Sequence, residues 1–129
     1  MELLIPVSPG ELLDKLTILE IKLERIGNEA QRANVQREYE FLSRVWRECD
    51  LDDDEVTRLR AQLREMNEAL WEIEDAIRDE EREKRFGDRF IELARSVYQR
   101  NDDRAALKKR INEMLGSEII EEKSYTEYT

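Results

Sequence analysis

The chain has 129 residues, room for one domain, with 32 Asp+Glu against 22 Lys+Arg and a formal charge of −10. Four Gly and two Pro exclude collagen-like, linker-like and turn-rich β-sandwich chains, and 40% apolar residues recurring periodically exclude a mostly disordered one. Histidine is absent and Cys49 is the only cysteine, which excludes Ser-His-Asp and Cys-His catalysis, His-containing zinc sites and intrachain disulfides.

Residues 1–7 are short and apolar and read as an extended arm. Ser8-Pro9-Gly10-Glu11 then reads as a helix start, with Ser8 as N-cap, Pro9 at N1 and Glu11 completing a capping box. The first helix is expected to run to about Ile26 on the stripe Leu12, Leu16, Leu19, Leu23, Ile26, with Gly27 as its C′ residue. A second helix over 29–49 carries Val35, Tyr39, Leu42 and Trp46 on one face. The acidic run Asp50–Glu55 suits a loop and a helix N-terminus, and it lacks the central Gly and distant Glu of a calcium loop.

The third helix is the clearest, over about 53–85. Val56, Leu59, Leu63, Met66, Leu70, Ile73 and Ile77 alternate at three and four residues, an apolar seam suited to antiparallel packing within the chain or to a homodimer. Its end, Arg78–Arg85, is wholly charged and is expected in water, with Gly87 closing the helix and Asp88 capping the next. A fourth helix is expected over about 89–100. Asn101-Asp102-Asp103 reads as a second N-cap, opening a fifth helix to Gly116 or a kink in one long helix. Ile119, Ile120, Tyr125 and Tyr128 give the segment 117–129 enough apolar surface to pack back on the bundle. The expected fold is all-α: a single domain over 1–129, a bundle of four or five helices with long antiparallel members, a short N-terminal arm and a packed C-terminal tail.

The unpaired cysteine suits a reducing compartment, no secretory leader is visible, and no apolar run is long enough to span a bilayer, so a cytoplasmic protein is expected. The acidic balance argues against nucleic acid as a partner.

Three polar stripes border the apolar faces. Lys15 and Lys22 flank the stripe of the first helix, and Asn67, Trp71, Glu74 and Arg78 flank the seam of the third. Asn101, Arg104 and Lys108 interrupt the core register after residue 97. If these stripes meet, they form a locally basic pocket in an acidic protein, suited to an anionic small molecule. The plainer alternative is ordinary i,i+4 pairing and Lys and Arg stems covering apolar surface. Trp46 and Trp71 likewise fit core or interface packing.

A second constellation is acidic. Glu11 with Asp14, and Glu72-Ile73-Glu74-Asp75, repeat an E-x-x-D pattern that on facing helices would hold Mg²⁺. It resembles the paired motifs of all-α nucleotide pyrophosphohydrolases, with Glu11, Asp14, Glu74 and Asp75 as ligands. A small all-helical chorismate-mutase-like enzyme is a further alternative, using Lys15, Lys22 and Arg104 as convergent cations. No cofactor is expected outside the Mg²⁺ alternative.

Ile5–Leu12, Asp14–Lys22, Asn67, Leu70-Trp71, Ile73–Asp75, Arg78, Ala94–Tyr98, Asn101-Asp102, Arg104 and Glu122–Tyr125 together resemble a family of small helical proteins from bacteria and their phages, which opens with an IPVSPGEL-type segment. The resemblance covers nearly the whole chain. It implies a bacterial or phage cytoplasmic protein and carries over no catalytic residue. The leading reading is therefore a binding or protein-interaction module with a polar pocket between helices.

Overall fold

Ser8 opens the first helix. In this computed structural model, which describes residues 1–129, its Oγ accepts from the Glu11 amide at 3.2 Å and Pro9 begins α1 (Pro9–Arg25). The capping box is only half formed, because the Glu11 carboxylate accepts from the Lys108 ammonium at 2.6 Å instead of returning to Ser8. α2 (Glu29–Cys49) starts from Asn28, whose side chain accepts from the Gln31 amide. α3 (Asp54–Arg82) starts from Asp53, which accepts from the Val56 amide at 2.8 Å. α4 runs Asp88–Met114. There is no strand, and no helix is long and apolar enough to cross a membrane.

Asn101 opens no fifth helix, so of the two alternatives the single long helix forms and the helices number four. Asn101 lies inside α4, and its Oδ1 accepts from the Arg104 Nη2 at 2.8 Å rather than from a backbone amide. Packing along α3 carries the helix through this polar stretch. Gly87, not Asp88, is the N-cap of α4.

The helix ends also differ from expectation. α3 stops at Arg82, before the charged run is over, because Lys84 turns left-handed at φ 56°. The Arg85 amide then donates to the Glu80 carbonyl and the Lys84 amide to that of Glu81, a Schellman closure. Gly116 makes the same closure after α4 at φ 67°, with Ser117 donating to the Asn112 carbonyl at 2.8 Å. Gly27 follows α1 without a positive φ, since the chain leaves that helix extended at Ile26.

The core gathers Leu12, Leu13 and Leu16 of α1, Trp46 of α2, Val56, Leu59 and Leu63 of α3, and Leu107 and Ile111 of α4. α1 touches all three other helices, and α3 packs most extensively on α4. The N-terminal half of the α3 seam is thus covered within the chain. Its 29 residues span about 43 Å at 1.5 Å per residue, against about 26 Å for the 17 residues of α1, so part of the α3–α4 pair stands clear of α1. The Trp46 indole donates to Asp52 at 3.1 Å, so the acidic loop serves as cap and indole acceptor.

Gly10 fixes where α1 meets α4. Its amide, one of the unpaired donors of the first turn, donates to the buried Asn112 Oδ1 at 2.7 Å. A Cβ at this position would stand 2.7 Å from the Lys108 carbonyl oxygen.

The tail returns along α4, but polar contacts hold it. Glu122 pairs with Lys109, Glu121 faces Lys108 at 3.8 Å, and the Tyr128 hydroxyl donates to Asp102 at 2.8 Å with its ring edge-on to Tyr98. Of the apolar residues expected to pack, Tyr128 rests its ring on Tyr98 and Ile120 is half-buried, whereas Ile119 and Tyr125 are exposed. Leu3, Leu4 and Ile5 of the N-terminal arm are exposed.

Candidate functional site

A hydrogen-bonded chain of polar side chains crosses the bundle beside the apolar core. Asp14 and Thr17 lie on the buried face of α1, and Thr17 Oγ1 donates to the Asp14 carbonyl at 2.8 Å. Asn67, 4% exposed on α3, donates to Asp14 Oδ1 at 2.8 Å and to Thr17 Oγ1 at 3.0 Å. Its carbonyl accepts from Arg104 Nη1 at 2.8 Å, while Arg104 Nη2 donates to Asn101. Every hydrogen-bonding group of the Asn67 amide therefore has a partner, as burial requires.

Lys108, one turn after Arg104, closes the other end. Its ammonium stands 2.6 Å from Glu11 Oε2, 3.3 Å from Asp14 Oδ2 and 3.8 Å from Glu121 Oε2. Burial acts to lower its pKa, but the Glu11 hydrogen bond and the charges of Asp14 and Glu11 outweigh that and hold it above the ordinary ammonium value. Asp14, 5% exposed, is thereby balanced by a cation.

Arg104 is balanced differently. Both its hydrogen bonds go to neutral amide oxygens and no carboxylate pairs with it, in a chain with 32 acidic residues. Two of its five N–H donors are engaged. It lines an open groove of about 590 Å³ between α3, α4 and the side of α1. Ile18, Leu70 and Trp71 give this groove its apolar surface, and Glu74, Asp75 and Arg78 lie further along α3. Arg104 also borders a recess of about 40 Å³ on its other side, with Lys108, Lys109, Lys123 and Glu121.

Of the nine residues singled out from the sequence, Asn67, Trp71, Glu74, Arg78, Asn101 and Arg104 line this one groove. Lys108 lies in the adjoining network and recess. Lys15 and Lys22 line neither cavity and form no ion pair; Lys15 is exposed. The three convergent cations of the chorismate-mutase-like alternative are therefore not assembled, since only Arg104 reaches the groove. The four carboxylates of the Mg²⁺ alternative do not converge either. Glu11 and Asp14 are spent on Lys108, Glu74 pairs with Arg78 at 3.2 Å, and nowhere do three acidic side chains stand close enough to hold a metal ion.

Sequence reasoning missed Thr17, Asn112 and Glu121. Thr17 had a signal: with Gly10, Asp14 and Ile21 it forms a helical face that is polar in its middle yet flanked by leucines on both sides. Asn112 and Glu121 had none: the partner of Asn112 lies 102 residues away in the chain, and Glu121 meets Lys108 only because the tail folds back along α4.

The fold and site define a four-helix protein with a buried polar network under a mixed-polarity groove. The chain belongs to the family of unknown function DUF6165, whose model matches residues 3–128. No curated protein and no solved structure matches it.

Proposed function

We propose that the protein is a small-molecule binding module and that its ligand presents an anionic group to Arg104 in the groove between α3 and α4. The observation that carries this reading is the state of Arg104: a half-buried guanidinium held in place by Asn67 and Asn101, with no carboxylate to balance it and donors unused. Elsewhere in the network the cation Lys108 has three acids around it, so the absence of one at Arg104 is a local property and not a shortage of acids. A planar fork of N–H donors fits a carboxylate or phosphate in two-point contact.

The test is a thermal-shift series on the full chain with inorganic phosphate, dicarboxylates, sugar phosphates and nucleotides, each with and without Mg²⁺. A ligand at 100 times its Kd adds about 2.7 kcal/mol of stability, a rise of several degrees for a domain of this size. The expected result is a rise with an anion alone that Arg104→Gln abolishes. A rise that requires Mg²⁺ and a nucleotide together would replace this reading with a metal-dependent hydrolase. No rise with any anion would leave a protein-interaction module.

A further inference from the structure

The groove carries more than one charge, and how those charges are paired says what kind of molecule fits it. Arg78 and Glu74 lie 3.2 Å apart and neutralise each other. Of the charged residues that line the groove, Arg104 and Asp75 then remain without an ionic partner, and they are of opposite sign. Between them lie Leu70 and Trp71 on α3 and Ile18 on α1. Arg104 is fastened to Asn67, and Asp75 stands eight residues further along the same helix, a separation on the order of 10 Å along the axis.

Resting on the reading of Arg104 given above, we infer that the ligand is bipolar: an acid group for Arg104 at one end, an amine for Asp75 at the other, and an aromatic or apolar body between them over Trp71. The order of features along α3 requires this arrangement. A simple anion would leave Asp75 unanswered, and its negative charge would share the groove with that unpaired carboxylate. A molecule with a distal ammonium turns that repulsion into attraction. The apolar stretch contributes through its area, and the indole face adds a stacking surface for an aromatic ring. The recess on the other side of Arg104 offers no comparable site, because its lysines are already answered by Glu11, Asp14, Glu121 and Glu122.

The experiment is isothermal titration of the full chain with three matched probes: 3-[4-(aminomethyl)phenyl]propionate, which carries both charges; 3-phenylpropionate, which lacks the amine; and 4-methylbenzylamine, which lacks the acid. The bipolar probe is expected to bind roughly fivefold more tightly than phenylpropionate, equivalent to about 1 kcal/mol. Asp75→Asn should remove that advantage, so that the two acids bind the variant alike. Asp75 is exposed and unpaired, so this variant keeps its fold, and circular dichroism verifies that. Equal binding of the two acids by the unmodified chain, or an advantage that survives Asp75→Asn, would overturn the bipolar inference and leave the anion reading standing. If neither acid binds, both fall together.

Discussion

Arg104 and Asn67 share one hydrogen bond of 2.8 Å between α4 and α3, and that bond decides which way the Asn67 amide faces. With its carbonyl turned to the guanidinium, its NH₂ group must face α1, where Asp14 and Thr17 accept from it. One side chain thereby ties three helices together and orients the one arginine of the groove that has no acid partner. Asn67→Ala removes the tie and leaves Asp14 and Arg104 short of partners. A loss of about 2–3 kcal/mol is expected from urea unfolding. A change near zero would show that water replaces the amide without penalty.

Gly10 admits no side chain. A Cβ there would stand 2.7 Å from one backbone oxygen and 2.9 Å from Asn112 Oδ1, and the backbone at Lys108 cannot swing aside as a flexible side chain would. Gly10→Ala should therefore cost about 1–3 kcal/mol through forced separation of α1 from α4. Gly27→Ala meets nothing within 4 Å, has no positive φ to oppose it, and should be neutral or slightly stabilising. Paired denaturation curves of the two variants check the contrast.

Lys84 holds a left-handed conformation that L side chains adopt only at an energetic cost. Lys84→Gly should raise stability by about 1 kcal/mol while preserving the closure of α3. Gly116→Ala, at the same position after α4, should lower it by a similar amount. Equal and opposite shifts in melting temperature are the expected outcome, and shifts of the same sign would contradict the shared geometry.

The pH dependence follows from Lys108. Its pKa is raised in the folded chain, so the folded form holds the proton more tightly than the unfolded form. Its contribution to stability is then fully present below about pH 10.4, the ordinary lysine value, and is lost as pH rises through the higher folded value. Lys108→Met should lower stability at neutral pH by stranding Asp14, and should also flatten the alkaline limb of the curve. Tyrosines titrate in the same range, so the comparison to make is the difference between the two curves, recorded by chemical denaturation from pH 7 to about pH 11.

The helices were legible because their signals are local. Leu12 and Leu16 repeat at helical spacing, Ser8 precedes Pro9, and the acidic run Asp50–Glu55 marks a helix N-terminus, so α1, α2 and α3 could be drawn within a few residues. Asn101 misled for the same reason. An Asn-Asp-Asp cluster is a strong cap signal, and only the presence of Asn67 across the groove reveals why Arg104 takes up the Asn101 side chain. Asn67, Trp71, Glu74 and Arg78 could be grouped because one helix presents them at spacings of three and four. Lys15 and Lys22 share a helix with Ile18, but their rotation around α1 relative to α4 is a tertiary matter that periodicity does not reach. The closures at Gly10 and Lys108 were beyond local reading, since each joins residues about a hundred positions apart.

The two tryptophans occupy contrasting surroundings. Trp46 is 3% exposed, sealed in the core with its indole nitrogen on Asp52, whereas Trp71 borders solvent on the groove wall. The first indole will emit toward the blue and be shielded from acrylamide, and the second will emit toward the red and be quenched. Unfolding and groove occupancy can therefore be followed as separate optical signals from the unlabelled chain.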